Sequence, residues 1–390
     1  ATYDGRLLRY EIDLNLGGEG KLKDGYLLTD DHVWILGERY DLWEVPCTGT
    51  VPQDDTSKMS HRLGGMLRFT YRHHFSSISN SNITSDQGWG CMLRTGQMML
   101  AQAFKLHYGG DPVTQRRSAG SASAAGVDQN IANWFCDKPE SPYSVHNIAQ
   151  LGDKKGKPVG NWFSPTLIAL VLQELVEQNS IKHDNLRVYV ADTATLYFEQ
   201  IEAINPKDNF SPLLVLIPVM LGAPPLANPI YFGSLLQFFH LPGFLGIVGG
   251  KPNASLYFIG YHLDASCQLV YLDPHVCTQQ ALMTVTDASR ETLRESNFLT
   301  MPITSLDSSL VLGFYCADRA SFDNLVVTTQ KIADSSGTPM FTWQHSAPLG
   351  NKRESLSAYC DGWRLVSASE QEDSGEFKPD GDDDDEWEEI

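Results

Sequence analysis

The stretch "TSDQGWGCMLRTGQMMLAQAF", residues 84–104, decides how the chain is read. Two glycines flank a tryptophan, and a cysteine follows. Met92, Leu93, Met99, Leu100, Ala103 and Phe104 then recur close to a helical stripe. The spacing predicts a helix from Cys91 to about His107, with the sulfur at its first turn. Unpaired backbone N–H groups and the macrodipole favour a thiolate there, and the same N–H groups can hold an oxyanion. Gly88 and Gly90 permit a sharp bend and a close approach by a substrate backbone. A structural cysteine buried on an amphipathic helix fits the same pattern, so the stretch alone leaves both readings open.

A thiol that acts as a nucleophile needs a base. Of the eleven histidines, the informative one lies in "VYLDPHVC", residues 270–277. In an extended segment Asp273 and His275, two apart, point to the same side. Pro274 biases Asp273 towards extended backbone and marks a strand end or edge. A carboxylate beside an imidazole fixes its tautomer and supports its charged form. The alternative is a turn-forming Asp-Pro followed by an exposed histidine. His73 and His74 are adjacent and are expected to splay apart on a strand. "GGKPN", residues 249–253, lacks the spacing of a P-loop and reads as a tight loop between an apolar strand and a hairpin.

Composition bounds the rest. The chain has 390 residues, 42% hydrophobic and 20% charged, which suits an enzyme-sized globular fold. The net charge of -19 argues against a nucleic-acid partner. It is uneven, because residues 367–390 hold twelve Asp/Glu against one Lys and carry -11 of the total. The seven cysteines, Cys47, Cys91, Cys136, Cys267, Cys277, Cys316 and Cys360, form no CxxC pair. Reduced thiols in a cytoplasmic protein are therefore expected, with no disulfide framework and no zinc site. The opening "ATYDGRLLRYEIDL" does not read as a signal peptide. "LLVLIPVMLG", residues 213–222, is too short to span a bilayer and reads as a buried strand despite its proline.

Outward from the cysteine, residues 32–42 and 66–75 read as early strands, the second alternatively as a short helix. "RRSAGSASAAG", residues 116–126, reads as a surface loop, and residues 162–179 as a helix with Pro165 in its first turn. Strand patterns follow at 185–192, 213–221, 255–263, 267–276 and 308–316, the third and fourth joined as a hairpin, before a last helix at 319–335. Helices early and strands late predict an α+β fold with a central antiparallel sheet.

Taken in order, "TSDQGWGCMLRTGQMMLAQ", "GNWFSP", "GIVGGKPN" and "YLDPH" resemble the autophagin family, the autophagy-related cysteine proteases. The resemblance covers about residues 26–315. It implies a papain-like core with an inserted small subdomain, as one catalytic domain over residues 31–363 after a flexible arm over 1–30. It further implies cleavage of ubiquitin-like autophagy modifiers after a C-terminal glycine, and their release from phosphatidylethanolamine. By motif, Cys91 is implied as nucleophile, His275 as general base and acid, Asp273 as its orienter and Tyr71 as an oxyanion-hole donor. Trp162, with Gly249, Gly250 and Pro252, is implied as the gate of a slot that admits a side-chain-free residue. No metal or cofactor is implied, and a monomer is expected. Papain itself differs, since its orienter is an asparagine after the histidine. Thr95 and Met98 stand where some relatives carry further cysteines, which argues against redox control through a neighbouring thiol.

The chain closes on "DGDDDDEWEEI", where Trp387 and Ile390 are spaced as aromatic-x-x-aliphatic among acids. The tail, residues 364–390, reads as disordered. Its last residues resemble the short motif that docks on the same modifiers by strand addition, with the acids steering association. Two other readings stay open, an inert scaffold that only binds modifiers and an ordinary ubiquitin deconjugase.

Overall fold

A computed structural model describes residues 32–41, 54–109, 124–183, 185–191, 193–251, 254–263, 267–294 and 299–348. The arm over 1–30, the domain borders, Pro252, residues 116–123 and the Trp387 and Ile390 motif lie outside the described residues. The chain divides into units 1–346 and 347–390, and the architecture below is that of the first.

The segment read as one early strand is a hairpin, β1 (His32–Ile35) and β2 (Glu38–Asp41). Leu36 and Gly37 turn it with φ of 42° and 88°, a left-handed pair that a continuous strand cannot contain. Then come α1 (Asp54–Gly64), the short β3 (Tyr71–His73), α2 (Cys91–Gly109), α3 (Ala124–Asn133), α4 (Val145–Lys154) and α5 (Pro165–Gln178). The last three residues of the expected 116–126 loop therefore begin a helix. In α5, Ser164 caps the N-terminus by accepting from the Leu167 N–H, and Pro165 takes the first position, where no N–H is needed.

The second half supplies the sheet: β4 (Arg187–Val190), β5 (Thr195–Tyr197), α6 (Phe198–Ile204), β6 (Leu213–Met220), α7 (Phe232–Phe238), β7 (Phe244–Lys251), β8 (Ala254–Leu263), β9 (Cys267–Leu272), β10 (Thr278–Gln280), α8 (Asp287–Glu291), β11 (Leu299–Pro302), β12 (Ser309–Cys316), α9 (Arg319–Ser336) and β13 (Thr342–Gln344). The main sheet runs β11-β9-β8-β7-β12-β6-β4, antiparallel except for the β4–β6 pair. Beyond the N-terminal part of β7, β1 takes over the same edge of β8 at Gly260 to Leu263. Pro218 is tolerated in buried β6 because β4 pairs only as far as Leu216, so no neighbour on that side awaits its missing N–H.

α2 lies between this sheet and the helices α3, α4 and α5. Sequence reading gives it one apolar stripe, but in the fold it is buried on every side, with Arg94, Gln97 and Gln102 inside as well. A helix covered all round needs no polar face, provided its polar side chains find partners. Arg94 lies between Asp86, at 2.6 Å, and Asp137, at 2.9 Å, and its Nη1 also donates to Gln97. Gln97 in turn donates to the Tyr143 carbonyl.

Candidate active site

The bend before Cys91 is built by one carboxylate and two glycines. The Asp86 carbonyl accepts from the Trp89 and Gly90 N–H groups, while its side chain accepts from the Arg72 N–H at 2.6 Å and from Arg94. A Cβ at Gly90 would lie 2.6 Å from the Asp86 Cβ, so only glycine fits where the chain folds back over its own anchor. Cys91 opens α2 in consequence, held from below by a buried ion cluster.

Asp273 and His275 meet by a different route from the one the sequence suggests. They are not a strand pair, because β9 ends at Leu272. Asp273 Oδ1 accepts both the His275 backbone N–H, at 2.8 Å, and His275 Nδ1, at 2.6 Å. This is an Asx turn across Pro274, in which the carboxylate bonds the amide two residues on. It fixes the ring and leaves Nε2 as the nitrogen that faces outward. His275 lies against the Cys91 thiol, each favouring the other's charged form, so the three side chains converge although 182 residues separate sulfur from carboxylate in the chain.

Tyr71 completes the cluster. β3 pairs with β10 in parallel, and the Tyr71 N–H donates to the Pro274 carbonyl at 3.0 Å. Its ring meets the His275 ring edge-on, centroids 5.2 Å apart. Its hydroxyl lies beside the sulfur and near the Gly88 N–H. The Gly88 carbonyl accepts from Trp162 Nε1 at 2.5 Å, and the indole, 48% exposed, lies beside the bend.

The electrostatics follow from these contacts. Burial works against a charge on Cys91, but hydrogen bonds from His275 and the Ser255 N–H, the His275 charge and the Tyr71 hydrogen bond outweigh it, and the thiol sits below its usual range. Burial likewise opposes the imidazolium, yet bonds to Asp273 and Cys91 and the charges of both raise His275 to about 9. Asp273 is also buried enough to resist ionisation, but the two His275 bonds hold its carboxyl below the usual range. Burial and the neighbouring sulfur push the Tyr71 phenol well up, so it stays a donor. Such a group can hold a thiolate–imidazolium pair at neutral pH and offer a protonated phenol to a developing oxyanion.

The peptidase C54 catalytic domain matches residues 56–328. The chain belongs to the peptidase C54 family. It is 34% identical over 337 residues to mouse cysteine protease ATG4A, covering 78% of this chain and 79% of that protein. Human cysteine protease ATG4A matches at 34% over 342 residues, with the same shares covered. Cysteine protease ATG4B of Xenopus laevis matches at 31% over 352 residues, covering 82% of this chain and 85% of that protein. The chain is thus a C54 cysteine protease with a papain-like α+β fold, as the autophagin resemblance implies.

Some placements in this C54 domain depart from the sequence reading. Gly249 and Gly250 are strand residues of β7, not loop residues. A Cβ on Gly250 would lie 1.8 Å from the Ala254 carbonyl oxygen, and the Asp307 N–H donates to its own carbonyl, so this glycine marks a close approach of strands. His73 and His74 do not splay. His74 has φ of 61°, which swings its ring back until the two Nδ1 atoms are 3.0 Å apart. Sequence reasoning passed over Asp86 and Ser255. "TSD" ahead of a cysteine gives a weak turn signal for the first, and nothing marks the second, whose contribution is a backbone amide.

Proposed function

We propose that this protease cleaves ubiquitin-like autophagy modifiers after their C-terminal glycine, trimming precursors and releasing modifiers from phosphatidylethanolamine. The Cys91 thiolate attacks the glycine carbonyl while the Cys91 N–H and the Tyr71 hydroxyl receive the oxyanion. His275 gives its proton to the departing amine, leaving a thioester on Cys91. His275 then takes a proton from water, which attacks the thioester and frees the glycine carboxylate. Trp162 and the β7–β8 hairpin carrying Pro252 wall a slot that favours glycine. The tail anchors Trp387 and Ile390 hold the modifier at a second face, raising its effective concentration at the cleft. The reading rests above all on one observation: a thiol at a helix N-terminus lies against an imidazole that a carboxylate holds at 2.6 Å.

The test is incubation with a modifier precursor, followed by intact mass. The native enzyme is expected to release the extension beyond glycine, and Cys91→Ala to release none while still binding. Turnover by Cys91→Ala, or equal turnover of a ubiquitin precursor, sinks the assignment. Modifier coupled to phosphatidylethanolamine in vesicles tests the second activity. In the same assay Trp387→Ala is expected to weaken binding and slow processing a few-fold, and unchanged affinity removes the tail from the scheme.

A further inference from the structure

Ser255 lies near the start of β8, directly across from Gly250 of β7. Its backbone N–H lies close enough to the Cys91 sulfur to favour the thiolate. Its side chain is engaged separately. Ser255 Oγ and Thr95 Oγ1 are 2.8 Å apart in the buried layer between sheet and α2, and Thr95 also donates to the Met92 carbonyl at 3.1 Å. Ser255 Oγ further lies 3.5 Å from Met92 Sδ. Thr95 is one helical turn beyond Cys91, so the hydroxyl pair ties the tip of the β7–β8 hairpin to the same turn of helix that carries the sulfur. Both side chains are buried, Thr95 fully, and a hydroxyl deprived of its partner there finds no water in exchange.

We propose that Ser255 is a positioning residue for the nucleophile: by bonding Thr95 through its hydroxyl, it keeps its own backbone N–H beside the Cys91 sulfur. The donor is a main-chain group and cannot be deleted by truncating a side chain, but its placement depends on one. A charge-assisted N–H···S bond favours the thiolate over the thiol. The tip of this hairpin, from Gly250 and Lys251 to Ser255, therefore does more than wall the cleft, since any movement there withdraws an N–H from the sulfur. Specificity and nucleophile strength are then linked through one strand. This inference rests on Cys91 being the nucleophile.

The full chain is tested by alkylation with iodoacetamide across pH, the Cys91 peptide being followed by mass. In the native protein the midpoint is expected below that of an ordinary thiol. In Ser255→Ala and in Thr95→Val it is expected to rise by about half a unit to one unit, which is roughly three- to tenfold less thiolate below the midpoint. Ser255→Thr keeps the hydroxyl and is expected to restore most of the native profile. A purely structural role would lower the melting temperature of the variants but leave the midpoint in place. Should both variants fold and keep the native midpoint, the positioning role is overturned while the nucleophile stands. An ordinary midpoint in the native protein itself would instead overturn the assignment of Cys91. If Ser255→Ala is too unstable to assay, Thr95→Val decides the matter alone, since it breaks the same bond from the helix side.

Discussion

The beginning of α2 and the end of β12 each hold a buried cysteine, and their thiols are driven in opposite directions. Cys91 is 6% exposed and Cys316 is 1% exposed. At Cys316 burial acts with only the nearby Asp318 charge beside it, and both push the thiol far up, fixing it as the neutral form. At Cys136 burial also wins, against the Lys138 and Arg72 charges, and the thiol rises to about 11. At Cys91 burial acts with the same sign but meets an imidazolium, a phenol and a backbone N–H, and loses. Burial therefore does not silence a thiol. It amplifies whatever surrounds it, because hydrogen bonds and charges act more strongly where water is excluded.

The sharpest way to break this contrast is to remove the support of the imidazole. Asp273→Asn is expected to lower kcat by about 10²-fold or more. The sign of its pH effect is fixed. Asp273 favours the charged ring, so without it His275 loses its proton at lower pH. In the native enzyme kcat/KM is expected to fall on the acid side as Cys91 is protonated and on the alkaline side near pH 9 as His275 deprotonates. These limbs belong to the coupled pair rather than to either residue alone. In Asp273→Asn the alkaline limb moves down, and a limb that stays near 9 would detach Asp273 from the ring.

Tyr71→Phe is milder. It removes one donor from the sulfur and one from the oxyanion, and kcat/KM is expected to fall by about 10²-fold. A loss confined to KM would instead make Tyr71 a packing residue. Cys316→Ala supplies the opposite arm of the comparison. It deletes a small buried group and is expected to cost about 1 kcal/mol of stability, read from a urea midpoint, with kcat/KM unchanged. A large fall in activity there would mean that Cys316 reaches the site through a route the fold does not display.

Legibility in the sequence divided along physical lines. Periodicity gave α9 nearly to the residue and α5 with its start three residues early, where Ser164 and Pro165 set the true boundary by local chemistry, as the Asp318 capping box does before α9. Of the later strands, β6, β8, β9 and β12 were visible as apolar runs and β10 and β11 were not, while β7 was cut short, since its Gly249 and Gly250 look like loop residues unless the neighbouring Leu310 and Ala254 are known. Cys91, His275, Asp273, Tyr71 and Trp162 were found through motif likeness, and the fold brings them together. The means by which Asp273 holds His275 was misread, because the period of an extended chain and an Asx turn predict the same neighbours by different bonds. The Ser255 amide and the burial of α2 on all sides had no sequence mark, because both depend on which distant elements close over them.

The parallel pair of β3 with β10 joins Arg72 to Gln279, and the Arg72 guanidinium donates to the Gln280 carbonyl, 208 residues along the chain. During synthesis the strand bearing Tyr71 leaves the ribosome long before its partner exists. A nascent polypeptide thus carries the sulfur and the phenol with no imidazole to charge them, and contacts of such sequence separation form late. Hydrolytic power is withheld until the segment that carries Asp273 and His275 has been made.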